Sequence, residues 1–128
     1  MNITQATAEV TTALEGAGLR VQGWQERNVV PPVAIVVPAE PFLDLDGDTT
    51  FSDPFVLHYG VQLVAGRGTG ETVRRALEKD IAAAVLALRE AGMSIDQVQY
   101  PLIGPEADNP TIGAQIEASV SIDLKEDV

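Results

Sequence analysis

Ile3, Ala6, Val10, Ala13, Leu14 and Ala17 recur at three- and four-residue intervals, the spacing that gathers apolar side chains on one side of a helix. Asn2 precedes this run and Gln5 follows at the third helical position, which makes a capping box and predicts a helix over Ile3 to Gly16. Gly16 and Gly18 stop it, and Leu19 to Trp24 follows as a strand with Leu19 and Val21 on one side. Pro31 and Pro32 then introduce Val33 to Val37, a continuous apolar run ended by Pro38, as expected of a strand covered on both faces and central in its sheet or near the centre. Pro41 to Pro54 has no periodicity and carries Asp44, Asp46, Asp48 and Asp53, so it reads as an exposed loop.

From Phe55 to Gly92 the pattern is the clearest in the chain. Phe55, Leu57, Tyr59, Val61, Leu63 and Ala65 alternate with Val56, His58, Gly60, Gln62 and Val64, which gives a strand with one wholly apolar face. A glycine turn, Gly66 to Gly70, leads into the longest helix, with Thr69 or Gly68 as its expected cap and Glu71 in its first turn, where a carboxylate meets the positive end of the helix dipole. Val73, Ala76, Leu77, Ile81, Ala84, Val85 and Leu88 form the expected buried stripe. Glu71 with Arg75 and Arg74 with Glu78 are favourable pairs on the wet side, and Gly92 closes the helix. Val98, Tyr100 and Leu102 predict a strand over Ile95 to Ile103, and Pro101, which has no N–H for a ladder, points to an edge or a bulge. Ile112, Ala114, Ile116, Ala118, Val120, Ile122 and Leu124 alternate with polar or small residues in a final strand, half buried and half solvated.

The order helix, three strands, helix, two strands predicts an α+β fold: a mainly antiparallel sheet of four to five strands with two helices packed on one face. At 128 residues, one domain spanning 1–128 is the natural count.

Charge narrows the function classes. Nineteen acidic residues against eight basic ones give a net charge of -11, which repels phosphate backbones and anionic lipid. A general nucleic-acid binder is disfavoured. The absence of cysteine removes disulfides, thiolate zinc sites and cysteine nucleophiles. No signal-peptide pattern opens the sequence and no stretch approaches the roughly 18 apolar residues of a membrane span, so an intracellular, soluble origin is expected.

Each candidate for chemistry meets a specific objection. Gly66, Gly68 and Gly70 follow a strand and open a helix, yet the third fingerprint glycine is replaced by Glu71, whose charge opposes a pyrophosphate at the helix N-terminus. Asp44, Asp46 and Asp48 are spaced like calcium-loop ligands, but the glycine falls at Gly47, before the third aspartate, and Phe55 stands where a bidentate glutamate belongs. His58, the single histidine, has no motif that supplies a nucleophile and an orienting carboxylate, and reads as a surface or subunit-contact residue. Trp24 reads as a partly buried ring covering the sheet edge, with a subunit contact as the alternative. The expectation is a protein with no catalytic residues, no metal and no cofactor.

Taken together, the N-terminal helix, the apolar strand begun by Pro31 and Pro32, the aspartate loop, the strand running into Gly66 and Arg67, the second helix and the final alternating strand form a recognisable layout. It resembles the tail terminator, or tail-completion, proteins of long-tailed bacteriophages, especially the small versions common in phages of actinobacteria. The resemblance covers nearly the whole chain and rests on layout and the Gly-Arg turn. It implies a structural virion protein of the tail and neck, made in the host cytoplasm. Copies of it, usually six, form a ring that caps the tail tube, ends its polymerisation and offers a surface to the head-tail connector, while DNA passes through the lumen without specific binding. The acidity suits that lumen, because like charges leave no counterion release to hold the DNA. Phe42, Asp44, Asp46, Asp48, Phe51 and Arg67 are the expected subunit-interface residues, with the Arg67 guanidinium paired to a neighbour's carboxylate. Another neck component, such as a head-completion or stopper protein, is the nearest alternative, and a small enzyme or ligand-binding module the more distant one.

Overall fold

A computed structural model describes residues 2–25, 29–45, 55–67, 70–103 and 111–122. The chain runs α1 (Ile3–Gly16), β1 (Val21–Gly23), β2 (Val33–Leu45), β3 (Phe55–Arg67), α2 (Glu71–Glu90), β4 (Ser94–Ile103) and β5 (Thr111–Ile122). The strands form one five-stranded sheet in the order β1-β2-β3-β5-β4. Only the β1–β2 pair is parallel, so the fold is α+β with a mostly antiparallel sheet.

Local chemistry sets the ends of both helices. Asn2 accepts from the Gln5 N–H at 2.8 Å and Gln5 returns its side-chain oxygen to the Asn2 N–H at 3.0 Å, completing the capping box. At the other end, Leu19 N–H bonds the Leu14 carbonyl and Gly18 N–H that of Glu15, with Gly18 at φ +88. The second helix stops in the same way, through Met93 to Leu88 and Gly92 to Arg89, with Gly92 at φ +92. Both are Schellman endings, in which a glycine takes the left-handed conformation that a Cβ would strain. The start of α2 differs from expectation: the cap is Gly70, held by backbone conformation with no side-chain hydrogen bond, rather than Thr69 or Gly68.

One apolar cluster unites the helices with one face of the sheet. Leu57, Tyr59, Val61, Leu63 and Ala65 of β3 join Ile112, Ala114, Ile116, Ala118 and Ile122 of β5, Ala34 and Val36 of β2, and the buried stripes of α1 (Ala6, Val10, Leu14) and α2 (Leu77, Ala84, Leu88). Each large aliphatic side chain removed from water here is worth about 1.5–3 kcal/mol before conformational entropy is set against it. The expected stripe of α2 is right except for Ala76, which is exposed. In β2 the expectation of cover on both faces holds unevenly: Ala34 and Val36 face the core, while Ile35 and Val37 on the opposite side are half-buried.

The largest departure lies between Pro38 and Leu45. The strand, expected to end at Pro38, continues through Leu45 into the start of the expected Pro41 to Pro54 loop, and a register shift between Pro38 and Leu43 inserts extra residues against β3 before pairing resumes at Leu43 with Leu57. Pro41 is tolerated because it falls within the shift, where no ladder N–H is required, and Pro38 lies beyond Ala34 to Val36, the residues that β1 pairs with. In β4, as Pro101 predicts, the strand is an edge with a shift between Gln99 and Leu102.

Candidate subunit-contact surfaces

Three of the expected interface residues, Phe42, Asp44 and Arg67, lie in described strands. Phe42 lies in β2, half-buried, with its ring edge-on to Tyr59 at 5.9 Å and 80° between planes; it packs on the core margin and is not a free loop side chain. Asp44 is exposed in the same strand, in register with Val56 near the start of β3. Arg67 ends β3, its backbone paired with Thr111. Val56 and Arg67 are therefore separated by about 36 Å along one strand, at 3.3 Å per residue. Asp46, Asp48 and Phe51 lie outside the described residues.

A different set of residues marks the β1 edge. Trp24 follows directly on β1 and is 56% exposed, so its ring is only partly covered at the sheet edge. With Thr7 and Thr11 of α1, Val21, Val36, Phe42 and Tyr59 it lines a cleft of about 280 Å3 on the helix side of the sheet. Val29 and Val30 are also exposed, and the Arg20 guanidinium donates to the Val30 carbonyl at 2.8 Å, which ties them to the start of β1. Tryptophan is highly buried on average; here β1 is three residues long and, among the described residues, no strand lies beyond it to cover the ring.

The β4 edge is apolar in a similar way. Val98 and Leu102 are each 39% exposed. Tyr100 stands between them and donates its hydroxyl to Glu78 on α2 at 2.9 Å, fastening the edge strand to the helix. Partial burial and the neighbouring Glu78 carboxylate both raise the Tyr100 hydroxyl pKa.

The face turned away from the helices is polar in the middle. Gln22, Ile35, Gln62, Gln115 and Gln99 stand in one row across all five strands. Four residues along β3, His58 is opposite Ser119, which is opposite Ser94. A second register shift in β4, between Ile95 and Gln97, leaves Asp96 as the extra residue, and its carboxylate accepts from Ser119 Oγ at 3.2 Å and lies 3.8 Å from His58 Nδ1. Nothing in the periodicity of the strand signals that bulge. His58 Nε2 is buried without a hydrogen-bond partner, and the group borders a cleft of about 490 Å3 with Glu40, Gln115 and Glu117. Ser119 donates to Asp96 and not to His58, so the three do not form the relay in which a histidine takes a serine proton.

Among the described residues no three histidine, aspartate or glutamate side chains gather closely enough to hold a metal ion, and no helix is long and apolar enough to cross a membrane. No protein-family model matches the chain, and no curated protein sequence does either.

Proposed function

We propose that this chain is a structural subunit of a long-tailed phage virion, a tail terminator that assembles as a ring of about six copies on the end of the tail tube, stops its growth and receives the head-tail connector. The observation that supports this reading best is the sheet with two unlike free edges, β1 with Trp24 on one side and β4 with Val98 and Leu102 on the other. Unlike edges on one molecule suit head-to-tail contacts, and such contacts close into rings when the rotation between copies divides a full turn. The resemblance in layout supports the identity of the ring, and the net charge of -11 suits a passage that DNA crosses without adhering.

The test is electron microscopy of purified tail tubes with and without the protein, alongside light scattering of the protein alone. A ring on one tube end, with tubes that cease to lengthen, is the expected result. Tubes that keep growing, with no added density at either end, would refute the proposal. Density on the connector alone would assign the chain to another position in the neck.

The cleft beside His58 favours a second reading, a small ligand-binding module, because a buried Nε2 without a partner can accept or donate to a guest. A thermal-shift screen that raises the melting temperature only while His58 is intact would support it.

A further inference from the structure

We propose that the cleft between the end of α1, the start of β2 and the middle of α2 binds an ammonium group carried on an apolar stem, with the Asp80 carboxylate as its anion. The proposal holds whether or not the chain forms a ring, because it rests on one side chain and the walls around it.

Asp80 breaks the pattern of its helix. Of the eight charged residues of α2, seven are exposed and only Asp80 is half-buried. At about 100° per residue it stands about 40° from Ala84 and about 60° from Leu77, both covered by the core, so it lies along the margin of the buried stripe and not on the wet face. A charge placed against the hydrophobic pattern of its element, with no structural gain, marks a position that function has to explain.

No structural gain is visible, because the carboxylate has no partner within the chain. Among the described residues no hydrogen bond reaches Asp80, and no cationic nitrogen lies within 4.0 Å of it. Lys79, its chain neighbour, is exposed and lowers the carboxyl pKa by less than burial raises it. Arg20 lines the same cleft, but its guanidinium donates to the Val30 carbonyl at 2.8 Å and makes no ion pair with Asp80.

The walls around Asp80 set the kind of guest. The cleft holds about 340 Å3, the size of a small-molecule site, and Leu19, Val33, Ala34 and Leu63 give it apolar sides. A single anion among aliphatic side chains suits an alkylammonium: the head pairs with the carboxylate and has three N–H donors, while the stem displaces water from the walls. A neutral apolar guest would strip water from the carboxylate and return no partner, and an anionic one would meet its charge. A free alkylamine and the lysine side chain of another protein both present this chemistry.

The probes are n-butylammonium, Nα-acetyl-lysine methylamide and, as an uncharged counterpart, n-butanol, each titrated into the full chain at fixed ionic strength and followed by amide NMR. Both cations are expected to shift the resonances of Leu19, Val33 and Leu63 saturably at millimolar concentration, and n-butanol to bind about tenfold more weakly or less. Asp80→Asn, which keeps the shape and removes the charge, should weaken both cations about tenfold or more. Glu90→Gln, at the exposed end of the same helix, should leave them unchanged, and melting curves show that each variant is folded. Tighter binding of the lysine derivative assigns the site to a partner's lysine, and tighter binding of n-butylammonium assigns it to a free amine. Equal weakening by the two substitutions would reduce the effect to attraction by the net charge of -11 and overturn the proposal, as would cations that shift nothing in the cleft.

Discussion

The hydroxyl of Tyr59, on the central strand, is hydrogen-bonded to the hydroxyl of Thr7 on α1, 52 residues away in sequence. Either hydroxyl can supply the proton of this bond, and Thr7 Oγ1 also reaches the Ile3 carbonyl at 3.1 Å. This bond ties α1 to the sheet at the bottom of the Trp24 cleft. Tyr59→Phe is expected to cost about 1 kcal/mol by urea unfolding at pH 7, the usual worth of one internal hydrogen bond.

The same hydroxyl makes stability depend on pH at the alkaline end. Burial raises the Tyr59 pKa, partly opposed by the bond to Thr7. Between the unfolded value and the raised folded value the native state keeps a proton that the unfolded state has lost, so stability falls as pH rises through that interval. Unfolding midpoints measured from pH 9 upward should decline more steeply in the native sequence than in Tyr59→Phe. Equal slopes would remove Tyr59 as a cause.

Asp80 carries a penalty of the same sign in the carboxyl range. Its carboxyl pKa is raised by burial, with Lys79 opposing, beside Leu19, Arg20 and Val33. The folded state therefore binds the proton more tightly than the unfolded state, and the site loses stability as pH climbs through the carboxyl titration. Asp80→Asn should raise the unfolding midpoint at pH 7, and its advantage should disappear below the unfolded carboxyl pKa. A lower midpoint at pH 7 would show that the charge is compensated.

Two glycines of the sheet should respond differently to a methyl group. A Cβ on Gly113 would lie 2.7 Å from the Leu63 carbonyl oxygen, a backbone atom in the adjacent strand, whereas one on Gly60 meets nothing nearer than the Gln115 side-chain nitrogen at 3.5 Å. Gly113→Ala is therefore expected to cost about 1–3 kcal/mol, as overpacking does, while Gly60→Ala stays within about 0.5 kcal/mol. Chemical denaturation of both variants in parallel gives the comparison.

Removing the first cap offers a local test. Asn2→Ala should destabilise the protein by about 1 kcal/mol, and Gln5→Ala by less, because only the former leaves a backbone N–H of the first turn unsatisfied by its side-chain oxygen. Hydrogen exchange in the first turn of α1 should quicken in both.

Where the chemistry was local, the sequence alone was enough. Asn2 with Gln5 and Gly18 fixed the bounds of α1, and the strict alternation through β3 and β5 named their buried faces, because a two-residue period survives any amount of distant packing. Pro101 pointed correctly to an edge. The readings failed where one strand slips against another. Prolines at 38 and 41 made Phe42 look like a loop residue, although a bulge lets the strand continue and turns that ring toward Tyr59. The bulge that brings Asp96 to Ser119 and His58 is set by pairing with β5 and leaves no trace in the local pattern. How far the Trp24 ring is covered depends on how many strands lie beyond it, which the average burial of tryptophan does not tell.

Asp44 and Arg67, near opposite ends of the longest pairing in the sheet, give the subunit an up and a down as well as a left and a right. Copies laid edge to edge would keep that polarity, so every Asp44 would fall on one rim and every Arg67 on the other. The two rims would greet different neighbours. An orientation along the axis of an assembly would then follow from the direction of a single strand.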